Sequence, residues 1–199
     1  MSDSSRRLHG LEFFLRSQQR PDTKASGIHA RILDDVTHVN LRGNSNDAEF
    51  NRGVEKVLGQ ALPVEPNTVS IRESHIYWLG PDEWLVVSKA ADSPGLATRL
   101  ENTLRNIHSS VNDISGGQVT FTLSGENVER VLNKACTIDF DAGTFKPGHC
   151  AQSGLAKASV LIGCIEQSRT FELIVRRSFA DYVARWLRHA ARHHGIEFR

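Results

Sequence analysis

RTFELIVRRSFADYVARWLRHAARHHG, residues 169–195, changes its apolar period part-way along, and that change decides the fold class. Phe171, Leu173 and Val175 alternate with Glu172 and Arg176, the pattern of a half-buried strand. From Ser178 onward the period is helical. Phe179, Tyr182, Val183, Trp186, Leu187 and Ala190 fall on one apolar stripe, with Trp186 near its middle. Ser178 and Asp181 have capping-box spacing, in which the hydroxyl accepts from a first-turn N–H and the acid favours the positive end of the helix dipole. Gly195 suits the left-handed position that ends a helix, and Arg188, His189, Arg192, His193 and His194 place cations near its unpaired carbonyls.

The same strand-to-helix plan occurs earlier. In it WLVVS, residues 84–88, is the strand. Ser93 and Pro94 stand at N-cap and first-turn positions, and Leu96, Leu100, Leu104 and Ile107 make the stripe. An internal duplication follows from this, and the remaining elements fit it.

In the first half, residues 28–41 end in a strand, HVNLRG, and Asn44, Ser45 and Asn46 offer caps for a helix bearing Phe50, Val54, Val57 and Leu58, closed by Gly59. SHIYWLG and EWLVVS flank Gly80-Pro81-Asp82 as a hairpin, and Val111 to Ile114 supply a last strand. In the second half, Gln118 to Leu123 form a strand and Val128, Val131 and Leu132 a short helix. A loop from Cys136 to Gly148 follows, then a hairpin of Ala158–Ile165 with Phe171–Val175 around EQSR, the long helix, and a closing strand at Ile196 to Phe198. Leu41 and Gly43 match Leu123 and Gly125. The expected class is α+β, with two βαββα(β) halves at 28–114 and 115–199 whose antiparallel sheets carry helices on one face. The other face is left to meet a second sheet or a partner. Residues 1–27 form an arm whose Leu8, Leu11, Phe13, Phe14 and Leu15 pack either on their own domain or on another protein.

Composition removes several function classes. Lys plus Arg total 24 against 23 for Asp plus Glu, and the resulting net charge of +1 gives no pull toward nucleic acid or an anionic membrane. Apolar runs are far shorter than the roughly 20 residues of a membrane span, and MSDSSRR is not followed by a signal-peptide core, so a cytoplasmic location is expected. Cys136, Cys150 and Cys164 are odd in number and lack CxxC spacing; they read as buried thiols.

Few side chains read as chemistry. Neither G-x-G-x-x-G nor G-x-x-x-x-G-K-[ST] occurs, and Gly116-Gly117 between two strands reads as a tight connection. His189 and His193 have the spacing of two helical metal ligands, yet the Glu of H-E-x-x-H is missing and cations belong at a helix end in any case. His149 and Cys150 are neighbours in an extended segment and point to opposite faces, which does not make a nucleophile and its base. Asp113, ahead of Ser115, is the one acidic candidate for a cleft, against the commoner turn-forming role of such a pair. No catalytic, cofactor-binding or metal residue is assigned.

LGPDEWLVV (79–87), VNDIS followed by VTFTLSG, FKPGHCAQSGLAKASVLI (145–162) and FELIVRRSFADYVARWL (171–187), in that order, resemble the gamma subunit of heterotetrameric sarcosine oxidase. That family is similar in fold to the tetrahydrofolate-binding aminomethyltransferases of glycine cleavage, consistent with the duplication. The resemblance implies a non-catalytic, assembly role in a complex that demethylates sarcosine oxidatively to glycine. It further implies alpha, beta and delta partner subunits, which hold the FAD, FMN, NAD, tetrahydrofolate and zinc, with none in this chain. The alternative is a free-standing folate-binding one-carbon transferase of the glycine-cleavage type, for which Asp113 is the sole candidate acid.

Overall fold

The computed structural model describes residues 11, 27–33, 35–89, 95–166 and 170–198. Leu8, Phe13, Phe14, Leu15, Ser93, Pro94 and most of the EQSR turn lie outside the described residues.

Residues 28–41, expected to end in one strand, hold two. β1 (Ile28–Leu33) and β2 (Val36–Gly43) go to different sheets. After β2 come α1 (Ala48–Leu58), β3 (Val69–Ile71), β4 (Ser74–Gly80), β5 (Glu83–Lys89), α2 (Leu96–Leu104) and β6 (Ser109–Asp113). A 3-10 turn at Ser115–Gly117 leads to β7 (Gln118–Ser124), α3 (Val128–Leu132), β8 (Cys150–Leu155), β9 (Ala158–Cys164), β10 (Phe171–Arg176), α4 (Ala180–Ala190) and β11 (Ile196–Phe198). The fold is α+β. One sheet has the order β3-β4-β5-β2-β6, the other β11-β1-β7-β10-β9-β8.

Set side by side, the two orders coincide over four strands: β3, β4, β5 and β2 match β8, β9, β10 and β7. The next place is taken by β6 in one sheet and by β1 in the other, each antiparallel to its neighbour. β1 therefore leaves the half in which its residues stand and completes the sheet of the other, with β11 parallel on its outer side. Leu11 is fully buried in the core of that same second half, so this member of the arm packs on its own chain.

Each sheet carries helices on one face. Phe50, Val54 and Leu58 of α1 and Leu96, Leu100 and Leu104 of α2 pack on Val39, Leu41, Ile76, Trp84 and Val86. Val183, Ala184 and Leu187 of α4, with Val131 and Leu132 of α3, pack on Phe121, Leu173, Val175 and Ile162. The opposite faces meet each other through Val69, Tyr77, Leu85, Val87, Cys150, Leu161 and Ile174. The face left open in the sequence reading is thus covered by the chain's own second sheet. That is also why β10 is buried from Phe171 through Val175 rather than at alternate residues. Close approach is built in at Gly163, where a Cβ would lie 2.6 Å from the ring of Tyr77.

Several local expectations are corrected. No capping box forms at Ser178: a 3-10 turn, Arg177–Phe179, precedes α4, Phe179 becomes its N-cap without a side-chain bond, and Asp181 turns to Arg185 at 2.7 Å. The buried stripe is rotated accordingly to Ala180, Val183, Ala184, Leu187 and Ala190, leaving Phe179 38% exposed and Trp186 at the edge of the core. α1 is capped by Asp47, whose carboxylate accepts from the N–H of Glu49 and Phe50, not by Asn44, Ser45 or Asn46. Gly59 and Gly195 do take the left-handed conformation, at φ 68° and 73°. β3 and β8, absent from the sequence reading, are edge strands joined to one another: Val69 N–H donates to Gly148 and Cys150 N–H to Asn67.

Candidate functional site

The inter-sheet core is apolar apart from a few buried polar side chains, His38 and Thr120 in one place and Glu172 in another. There β10 places Glu172 on the inner face, 5% exposed, opposite β4. A carboxylate in such a place needs donors. Tyr77 donates its hydroxyl to Glu172 Oε2, and His75 Nδ1 lies 3.0 Å from the same oxygen. His75 and Tyr77 reach it together because residues two apart on a strand share a face. Burial and the neighbouring carboxylate push the Tyr77 hydroxyl well above the usual tyrosine range.

This group stands at the inner end of a cleft of about 630 Å³, bounded by Leu33, Val36, Arg72, Glu73, His75, Val87, Ser88, Lys89 and Glu172. Both sheets and both ends of the β1–β2 turn contribute. The sequence reading assigned Glu172 only to the polar side of a half-buried strand, since nothing local shows that its face is covered by residues nearly a hundred positions away.

The residues singled out from sequence are dispersed. Asp113 accepts from the N–H of Ser115 at 2.9 Å and from its hydroxyl, while Ser115 Oγ accepts from His38 N–H at 2.9 Å; the pair builds the turn between sheets. His38, which the sequence reading passed over, also joins the sheets through Nε2 and Thr120 Oγ1 at 2.8 Å. Gly116 and Gly117 lie in that same connection. The Cys150 thiol points between the sheets at the carbonyls of Thr68 and Trp78, and burial pushes it up to about 12. Its neighbour His149 instead donates from Nδ1 to the Thr144 carbonyl at 3.2 Å. His189 and His193 both face the guanidinium of Arg192, at 3.0 Å. All three cysteines are buried and outside any disulfide. Among the described residues no group of three His, Cys, Asp or Glu side chains is placed to hold a metal ion, and no helix is long and apolar enough to cross a membrane.

Residues 42–193 match the model of the sarcosine oxidase, gamma subunit family. The chain belongs to that family. A gamma subunit of sarcosine oxidase from Corynebacterium sp. (strain P-1) is 28% identical over 165 residues, covering 82% of this chain and 79% of that one. A second, from Arthrobacter sp., is 27% identical with the same coverage. The structure of heterotetrameric sarcosine oxidase from Corynebacterium sp. U-96, in complex with pyrrole 2-carboxylate, contains a chain that superimposes with a TM-score of 0.83 at 21% identity, covering 94% of this chain and 95% of that one. Glycine cleavage system aminomethyltransferase T from Bartonella henselae gives a TM-score of 0.61 at 16% identity over 87% of this chain and 48% of that one. The gamma subunit fold is therefore about half of an aminomethyltransferase fold, built from the two facing sheets. The family match begins inside β2 and so leaves out β1, the strand that completes the second sheet.

Proposed function

We propose that the chain is the non-catalytic gamma subunit of a heterotetrameric sarcosine oxidase, assembled in the cytoplasm with alpha, beta and delta chains that carry FAD, FMN, NAD, tetrahydrofolate and zinc. The observation that supports this best is the family match over 42–193, within which the Corynebacterium and Arthrobacter relatives are themselves gamma subunits. In this reading residues 28–114 and 115–199 are the two repeats, 1–27 is an arm, and β1 ties one repeat to the other.

A free-standing folate-binding transferase draws on the aminomethyltransferase fold, but the residues fit it poorly. Asp113 spends its carboxylate on Ser115, and Glu172 spends an oxygen on Tyr77 and His75. No step through folate is derived for this chain. Purification of the chain alone, followed by visible absorbance, metal analysis and tetrahydrofolate titration, tests the subunit reading. The expected outcome is a folded chain that carries none of these groups; a stoichiometric flavin, metal or folate contradicts it.

A further inference from the structure

The duplication gives each helix a counterpart. α2 and α4 hold the same place in the two repeats, each following the second strand of a hairpin and packing on its own sheet. Their buried sides answer the same demand, so their outer sides can be compared directly. On α2 the exposed residues are Thr98, Arg99, Glu101, Asn102 and Thr103, short or balanced in charge. On α4 Phe179, Tyr182, Trp186 and His189 follow one another at three- and four-residue spacing, which puts them in a strip along one flank of the helix. Phe179 and His189 are exposed, and Tyr182 and Trp186 are half-buried at the edge of the core. Beside this strip run Arg185, Arg188 and, just past the helix end, Arg192, all exposed. Asp181, the one acid of the helix, is already bonded to Arg185 at 2.7 Å. Arg188 makes no hydrogen bond or ion pair among the described residues. Lys157, whose N–H donates to the Tyr182 hydroxyl at 3.3 Å, adds a further exposed cation next to the strip.

Aromatic rings and arginines are the side chains enriched at protein interfaces, and a fold that needs only the buried stripe gives no reason for them outside it. The chain's net charge of +1 makes this excess of cations local rather than general. A second copy is a poor occupant, because a two-fold contact through α4 sets these arginines against their own counterparts. We propose that the outer flank of α4 is the surface on which a partner subunit docks, and that the partner presents carboxylates to Arg188 and an apolar side chain to Phe179. The inference rests on the subunit reading and adds to it the surface and its chemistry. Carboxylate–guanidinium contacts fix the register and speed association, while the rings supply area removed from water.

The test follows the full chain co-expressed with the proposed alpha, beta and delta subunits, by native mass spectrometry of the purified complex on stepwise dilution. The double variant Phe179→Ala/Arg188→Gln raises the dissociation constant of this chain at least about tenfold, and Arg188→Lys raises it less. Higher salt weakens the wild-type complex more than that of the double variant. Both positions are exposed, so the double variant folds normally, which circular dichroism checks. Arg52→Gln, at an exposed arginine on α1 of the other repeat, is the control and leaves the constant unchanged. Assembly of the wild-type chain with unchanged affinity in the double variant overturns this inference alone, whereas failure of the wild-type chain to assemble overturns the subunit reading and this inference with it. Equal weakening by Arg52→Gln also overturns it, as does binding to phosphatidylserine vesicles that the double variant loses while subunit assembly stays intact.

Discussion

Tyr77 on β4 and Glu172 on β10, 95 positions apart, share a hydrogen bond across the interface of the two sheets. It is the point at which a carboxylate enters a largely apolar inter-sheet layer. A buried carboxylate deprived of a donor retains its desolvation cost, so Tyr77→Phe is expected to lower stability by about 1.5–3 kcal/mol. His75→Ala removes a partly exposed donor and costs less. Urea unfolding of the two variants checks the order, and equal losses would show that burial of the donor does not matter.

Alkaline pH should unfold the protein cooperatively. Tyr77 and Cys150 both have folded-state values above their ordinary ones, so each is protonated in the native chain at a pH where the unfolded chain has released its proton. Their contribution to stability is complete below the unfolded values. For Cys150 it declines from about pH 9 and is lost as the pH rises through about 12; for Tyr77 the decline begins near pH ~10. Cys150→Ala should flatten the first part of this decline in stability measurements as a function of pH.

Helix α4 gives a packing test. Leu187→Ala is expected to cost about 2–5 kcal/mol, as for a fully buried aliphatic side chain, while Phe179→Ala costs less than ~1 kcal/mol. The sequence pattern put both residues on the same stripe, so thermal unfolding of the pair separates the observed helical phase from the simpler one.

Capping distinguishes the two helix starts. Asp47→Ala removes the acceptor of two first-turn N–H groups and should cost about 1 kcal/mol, whereas Ser178→Ala should be near neutral.

The elements that were legible in the sequence are those whose periodicity is local. Strands β4, β5, β7 and β10, helices α1, α2 and α4, and the Gly80-Pro81-Asp82 turn all declare themselves within their own residues. β3 and β8 did not: β3, at three residues, is too short to show a period, and in β8 only the end residues Cys150 and Leu155 are buried. β1 was merged with β2 since nothing between Leu33 and Val36 signals that the chain changes sheets there. Ser178 has the right spacing for a cap, but the 3-10 turn before α4 moves it out of position, a choice set by packing. Glu172 read as a solvent-facing strand residue because its partners, His75 and Tyr77, belong to the other repeat.

The central claim is that this chain works as one of four different subunits. Native mass spectrometry of the chain co-expressed with the proposed alpha, beta and delta subunits measures that directly. The expected spectrum is a single complex containing one copy of this chain, with release of the chain only under activation that also dissociates the assembly. A fully assembled and active remainder lacking this chain, with the chain itself running free, would contradict the assignment.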